Sequence, residues 1–157
     1  MLLAGKTLRP TTRRLVLIAA LIFVVSTVGL VLAIIFQWPT RFDGSGNPNV
    51  TAGEVVTGGT ATSIPLGPWV ALAVFAFLAR SRRWWGALAA VILWLLGVIF
   101  IIGGLGEAFA PPTPFVPRAV LIASGVVAGL LGLTLLLSGI ADLVDRARTR
   151  RLPSRAS

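Results

Sequence analysis

The chain has 157 residues, 56% of them hydrophobic and only 12% charged, and its mean hydropathy is +0.93. A soluble domain carries about 25% charged and roughly 45–50% apolar residues, so this composition excludes an ordinary water-soluble globule, and it excludes disorder, which needs low hydrophobicity. Fourteen basic residues against five acidic ones give a net charge of +9, but they are divided among several short segments and do not form the single solvated face that nucleic-acid binding requires.

Taken in order, residues 1–14 form a basic lead with Lys6, Arg9, Arg13 and Arg14. A first charge-free apolar run covers 15–37. A spanning helix needs about 20 mostly apolar residues, so this run crosses with some tilt. Val31-Leu32-Ala33 offers a weak small-residue cleavage site, but the run continues through Ile34, Ile35 and Phe36, past the roughly 7–15 residues of a signal core. An uncleaved anchor is expected. A polar, turn-rich loop follows at 38–63 and a short second apolar run at 64–79. Pro65 and Pro68 suit the first turn of that helix, where their missing N–H groups have no intrahelical partner to lose. Residues 80–85 form a basic turn with Arg80, Arg82 and Arg83, ahead of a third span at 86–105. Gly97, Gly103, Gly104 and Gly106 are expected to loosen that span's far end, and the mid-span Trp94 should find a partner for its indole N–H. A loop at 106–118 holds four prolines, a fourth span covers 119–143, and a basic tail occupies 144–157.

The placement of charge orders these spans. If all four cross, twelve basic residues lie on one side and only Arg41 and Arg118 on the other, which is the positive-inside bias. If the short second run failed to cross, two basic clusters would fall outside. Snorkelling of Arg80 and Arg82 and local thinning make up its missing length at modest cost. Trp38 and Trp69 then mark the outer boundary, and Trp84 and Trp85 the inner one. The expected architecture is an all-α integral membrane protein, a four-transmembrane-helix bundle with cytoplasmic N and C termini. It would sit in the cell inner (plasma) membrane, and the preference for Arg over Lys suggests a GC-rich bacterial genome.

The spans hold no Lys, Arg, Asp or Glu well away from an end, so the ionisable groups that mark proton relays and ion pathways are missing. The hydroxyls of Ser26, Thr27, Ser124, Thr134 and Ser138 are expected to bond back to their own helices. In the fourth span Gly125 and Gly129 make a GxxxG step, with Ser124, Ala128 and Gly132 as a small-residue stripe beside it. Such faces let helices approach closely inside the chain, or in a homo-oligomer or partner complex. Asp142 with Arg146, and Asp145 with Arg148, have the spacing of surface ion pairs. Arg80, Arg82, Arg83, Arg146, Arg148, Arg150 and Arg151 are candidate contacts for anionic lipid head groups, each contributing about 1 kcal/mol near the surface.

Beyond the first span, Asp43, Ser45 and Asn47 alternate as in half a calcium loop, with Glu54 at the position of the closing carboxylate. Pro48 occupies the place that requires Gly, so consecutive turns explain the stretch better. Asn49-Val-Thr51 is formally a glycosylation sequon, with meaning only in a eukaryotic source. Following Pro39, the pattern Phe42-Asp43-x-x-Gly46-x-Pro48-Asn49 resembles the outer loop of the SdpI-like immunity membrane proteins and their uncharacterised relatives. Those show a proline and then His-Phe-Asn-x-x-Gly-x-Pro-Asp. Arg41, Asp43 and Asn49 stand here where that family has His, Asn and Asp. The resemblance covers about ten residues and implies an outward-facing recognition loop formed by Phe42, Asp43, Gly46, Pro48 and Asn49. A Glu107–Arg118 pair across the proline loop is also expected.

The absence of Cys and His removes thiolate and imidazole chemistry, and five carboxylates leave little for a hard-cation cage. The reading is therefore of a non-enzyme without cofactor or metal: an interaction, accessory or immunity-type factor whose partners are the bilayer, anionic head groups and a membrane protein or second copy, with no nucleic acid. The alternative is a homo-oligomeric small transporter or pore.

Overall fold

The computed structural model describes residues 8–38, 51–60, 62–109 and 116–151, which form five helices: α1 (Pro10–Ile35), α2 (Ala52–Gly58), α3 (Leu66–Leu78), α4 (Trp84–Ala108) and α5 (Arg118–Arg151). Among these residues there is no strand, only an isolated bridge between Thr60 and Ser63. Three of the helices, α1, α4 and α5, are long and apolar enough to cross a membrane, while α3 is a shorter apolar helix of 13 residues.

Local chemistry sets the helix ends. Pro10 opens α1, where its fixed φ suits a helix and its lacking N–H costs nothing. At the other end Gln37 takes a positive φ of 52°, Trp38 N–H reaches Ala33 O at 2.9 Å and Gln37 N–H reaches Ile34 O at 3.4 Å. That is a Schellman closure built without glycine. Pro65 precedes α3 and Pro68 is its third residue, as the sequence suggests.

Three features differ from expectation. First, α2 lies within the stretch read only as loop. Thr51 and Glu54 form a capping box, with Thr51 N–H donating to the Glu54 carboxylate at 2.8 Å and Glu54 N–H to the Thr51 hydroxyl at 3.3 Å. Glu54 is thus engaged by its own helix. Thr51→Ala should remove about 1 kcal/mol from a helix of seven residues that has little stability of its own. Hydrogen exchange at Val55 and Gly59, whose N–H groups bond into this helix, should then quicken about fivefold. Unchanged rates would mean that packing, not the cap, holds α2. Second, the glycines of α4 do not fray it: the helix is continuous to Ala108, because Gly97 and Gly104 are buried against α5. Third, α5 continues well past residue 143 to Arg151, so the start of the expected tail is helical.

The helices pack so that α4 lies along α5, α1 against both α5 and α3, and α3 against α4. Thr11 and Thr12 near the start of α1 meet Asp142 near the end of α5, and Gly104 late in α4 meets Gly125 early in α5. Both pairs of helices are therefore antiparallel. The shared core comprises Leu15 and Ala19 of α1, Leu72 of α3, Leu93 and Phe100 of α4, and Leu135 of α5. Large apolar side chains also cover the outside, including Leu17, Val24, Ile99, Ile102, Leu130 and Leu137. Helices that are apolar on every face belong in a lipid environment.

Candidate functional site

Asp142 and Arg146 are four residues apart on α5, a spacing common on solvated helix faces. Here the pair is buried: Asp142 is 0% exposed and Arg146 7%. This corrects the surface ion pair read from the sequence. Arg146 Nε donates to Asp142 Oδ2 at 2.6 Å, and the other carboxylate oxygen accepts from the hydroxyls of Thr12 at 2.5 Å and Thr11 at 3.3 Å. Thr11 also donates to Asp145 at 3.1 Å.

The rest of the guanidinium crosses to other elements. Nη2 donates to Ala79 O at 2.6 Å and to the Thr12 hydroxyl at 3.4 Å, and Nη1 to Ser81 O at 3.0 Å. Ala79 caps the C-terminal end of α3, where unpaired carbonyls and the negative end of the helix dipole favour a cation. One planar group therefore joins α1, α3, the α3–α4 turn and α5. Gly86, in the first turn of α4, completes the hub by its lack of a side chain, since a Cβ there would collide with Ser81 O and stand 2.7 Å from Arg146 Nη1.

At the opposite end, hydroxyls do similar work. Thr60 and Ser63 exchange backbone bonds of 3.1 and 3.3 Å. The Thr62 hydroxyl donates to Gly29 O at 3.0 Å, and Ile64 N–H donates to Ser26 Oγ at 3.1 Å. Ser26 thus holds the start of α3 and does not bond back to α1, unlike Thr27, Ser124 and Thr134, which bond to their own helices. Gly29 is required because a Cβ would overlap the Thr62 carbonyl.

Between the two ends, α4 and α5 touch backbone to backbone. A Cβ on Gly97 would lie 2.8 Å from Gly132 O, and one on Gly104 2.5 Å from Gly125 O; Gly139 lies under Trp94, whose Cβ is 2.9 Å from where its own Cβ would be. The contact glycines of α5 are Gly125, Gly132 and Gly139, spaced by seven, facing Gly97 and Gly104, also seven apart. A seven-residue repeat keeps one seam of a helix on its neighbour over several turns. Of the expected small-residue set, Gly125 and Gly132 lie in this seam. Gly129 has backbone near Gly104, yet a Cβ on it would meet nothing within 4 Å. Ser124 and Ala128 instead line an apolar groove of about 390 Å³ between α1 and α5. Trp94 fills space over Gly139, but its Nε1 has no partner among the described residues, contrary to expectation.

Of the arginines expected at lipid head groups, Arg80, Arg82 and Arg83 are exposed in the α3–α4 turn and Arg148 is exposed near the end of α5, whereas Arg146 is directed into the hub. Arg150 and Arg151 continue α5. The expected recognition loop of Phe42, Asp43, Gly46, Pro48 and Asn49 lies outside the described residues, as do Arg41, Ser45 and Asn47. Among the described residues no group of three or more Asp or Glu side chains is placed to hold a metal ion. No family model, curated protein or solved structure matches the chain.

Proposed function

We propose that this is a four-span, multi-pass protein of a bacterial inner membrane, with both termini cytoplasmic, acting as a non-enzymatic interaction or accessory factor. The observation that carries this reading is the hub. By joining the start of α1, the end of α3 and the end of α5, it gathers Arg9, Arg13, Arg14, Arg80, Arg82, Arg83, Arg146 and Arg148 at one end, while Arg118 opens α5 at the other. That is the arrangement required if α3 crosses with the longer helices and the positive end faces inward. The hub and the contacts of Ser26 and Thr62 hold helices together at the two ends, which suits a rigid membrane unit that presents its loops and faces to a partner. An immunity-type role rests on the resemblance of residues 41–49.

Topology is tested by cysteine labelling. With Thr57→Cys, exposed on α2, and Arg82→Cys, exposed in the α3–α4 turn, an impermeant reagent on intact cells should label position 57 only, and position 82 after permeabilisation. Labelling of both from outside would remove α3 as a crossing. For the role itself, purification in mild detergent should yield a stoichiometric foreign membrane protein. A lone symmetric oligomer that conducts ions or solute in liposomes would replace this reading with the pore.

A further inference from the structure

The end of the molecule that carries the hub also holds a cavity of about 320 Å³, with Arg9, Arg80, Arg82, Arg83 and Arg146 among its walls, together with Thr12 and Ser81. Arginines supply five of the residues around this space, and the carboxylate of Asp142 is bonded to one of them, Arg146. The helix starts also bear on the potential there. Arg9 and Arg83 are the N-cap residues of α1 and α4, and neither helix has a side-chain cap or an acidic residue in its first turn. At α1 the carboxylates of Asp142 and Asp145 already meet Thr11 and Thr12 of the first turn, whereas no carboxylate lies in the first turn of α4, whose dipole adds to the field of the arginines.

A separate observation indicates a missing acceptor. Arg9 Nη1 is buried and has no hydrogen-bond partner among the described residues. A buried donor left unpaired is costly, and more so when it is charged. Arg146, by contrast, is fixed in place by four bonds to Asp142, Ser81, Ala79 and Thr12, so one cationic wall of the cavity is rigid. Beside it, Trp84 and Trp85 are exposed and stacked at 3.5 Å between ring centroids, as aromatic residues are at a membrane–water interface.

We propose that this cavity binds one phosphate group, that of an anionic phosphoglyceride, through Arg9, Arg83 and the first turn of α4. The assignment of the phosphate to a lipid rests on the proposed function above, in which this end lies at the inner membrane surface; the phosphate chemistry does not.

The test uses the full chain in a neutral maltoside detergent, titrated separately with phosphatidylglycerol, phosphatidylcholine and inorganic phosphate. The readouts are tryptophan fluorescence and native mass spectrometry. One phosphatidylglycerol per chain should bind, in preference to phosphatidylcholine. Arg9→Gln and Arg83→Gln should each weaken binding about tenfold or more, as loss of a charge-assisted bond does. Arg14→Gln, exposed at the same end but outside the cavity, should change it less than about twofold. If Arg9→Gln does not fold, the exposed Arg83 decides. Tight inorganic phosphate with no preference for phosphatidylglycerol would keep the site and assign it to free phosphate. Equal losses for Arg83→Gln and Arg14→Gln would overturn the proposal in favour of a diffuse basic surface, and so would binding of neither ligand. Micelles have no sides, so a failed labelling pattern and a failed titration are separate results.

Discussion

Asp142→Ala is expected to destabilise the protein by about 3–5 kcal/mol, measured as thermal or denaturant unfolding in detergent, because it leaves the Arg146 guanidinium buried without its counter-charge. It also removes the acceptor of the Thr12 hydroxyl and one acceptor of Thr11. Asp142→Asn, which retains shape and one acceptor oxygen, should fall between wild type and Ala. Arg146→Lys should not rescue the site, since an ammonium has three donors and cannot reproduce a planar group that meets Asp142, Ala79, Ser81 and Thr12 from fixed directions. The double variant Asp142→Ala/Arg146→Ala should lose less than the sum of the two single ones, with a coupling of up to about 3 kcal/mol. Strict additivity would show that the two side chains act independently and that the hub is not a unit.

The glycine seam gives the second large effect, and its sign depends on position. Gly104→Ala and Gly125→Ala each direct a methyl group at the backbone of the facing helix, with the nearest amide nitrogen 2.7 Å away in both cases. A backbone atom cannot move aside as a side-chain tip can, so α4 and α5 must separate along the seam. Overpacking of this kind costs about 1–3 kcal/mol, and the upper part of that range is expected because lipid supplies no hydrophobic drive to restore the contact. Gly129→Ala has open space at its Cβ. It should be neutral or stabilising by up to about 1 kcal/mol through helix propensity alone. Melting temperatures of the three variants in one detergent check the order. A destabilised Gly129→Ala alongside a tolerated Gly125→Ala would place the contact on the four-residue step and not on the seven-residue repeat.

What could be read from the chain follows the range of the forces involved. The long helices were legible because 20 or so apolar residues without charge have few other stable states, and Pro10, Pro65 and Pro68 fall where a helix start tolerates them. The capping box Thr51-Ala-Gly-Glu54 was a local signal for α2, masked by the glycine and threonine around it. The extension of α5 was hidden because hydropathy falls at Asp142, whereas strong helix formers persist: Ala, Leu and Arg supply most of the positions to Arg151. The glycine repeat was visible in spacing, but GxxxG at Gly125 and Gly129 competed with the seven-residue series, and only the facing backbone decides between them. Burial of Asp142 and Arg146 could not be seen in sequence. It depends on Thr12, Ala79 and Ser81, which lie 65 or more residues from Arg146 along the chain.

That separation has a consequence for how the protein is made. The Ala79 carbonyl at the end of α3 bonds to a residue 67 positions later in the chain. At ribosomal rates of about 5–20 residues per second, α3 therefore exists for roughly 3–13 seconds before its cap has been synthesised. During that interval α1 and α3 can pair through Ser26 and Ile64, Gly29 and Thr62, and the stacked rings of Phe23 and Trp69, but their other ends stay open. The shortest helix of the four that pack side by side is the second of them to leave the ribosome, yet its C-terminal end is capped only when α5 arrives. Any chain terminated before residue 146 keeps α3 in its unfinished state.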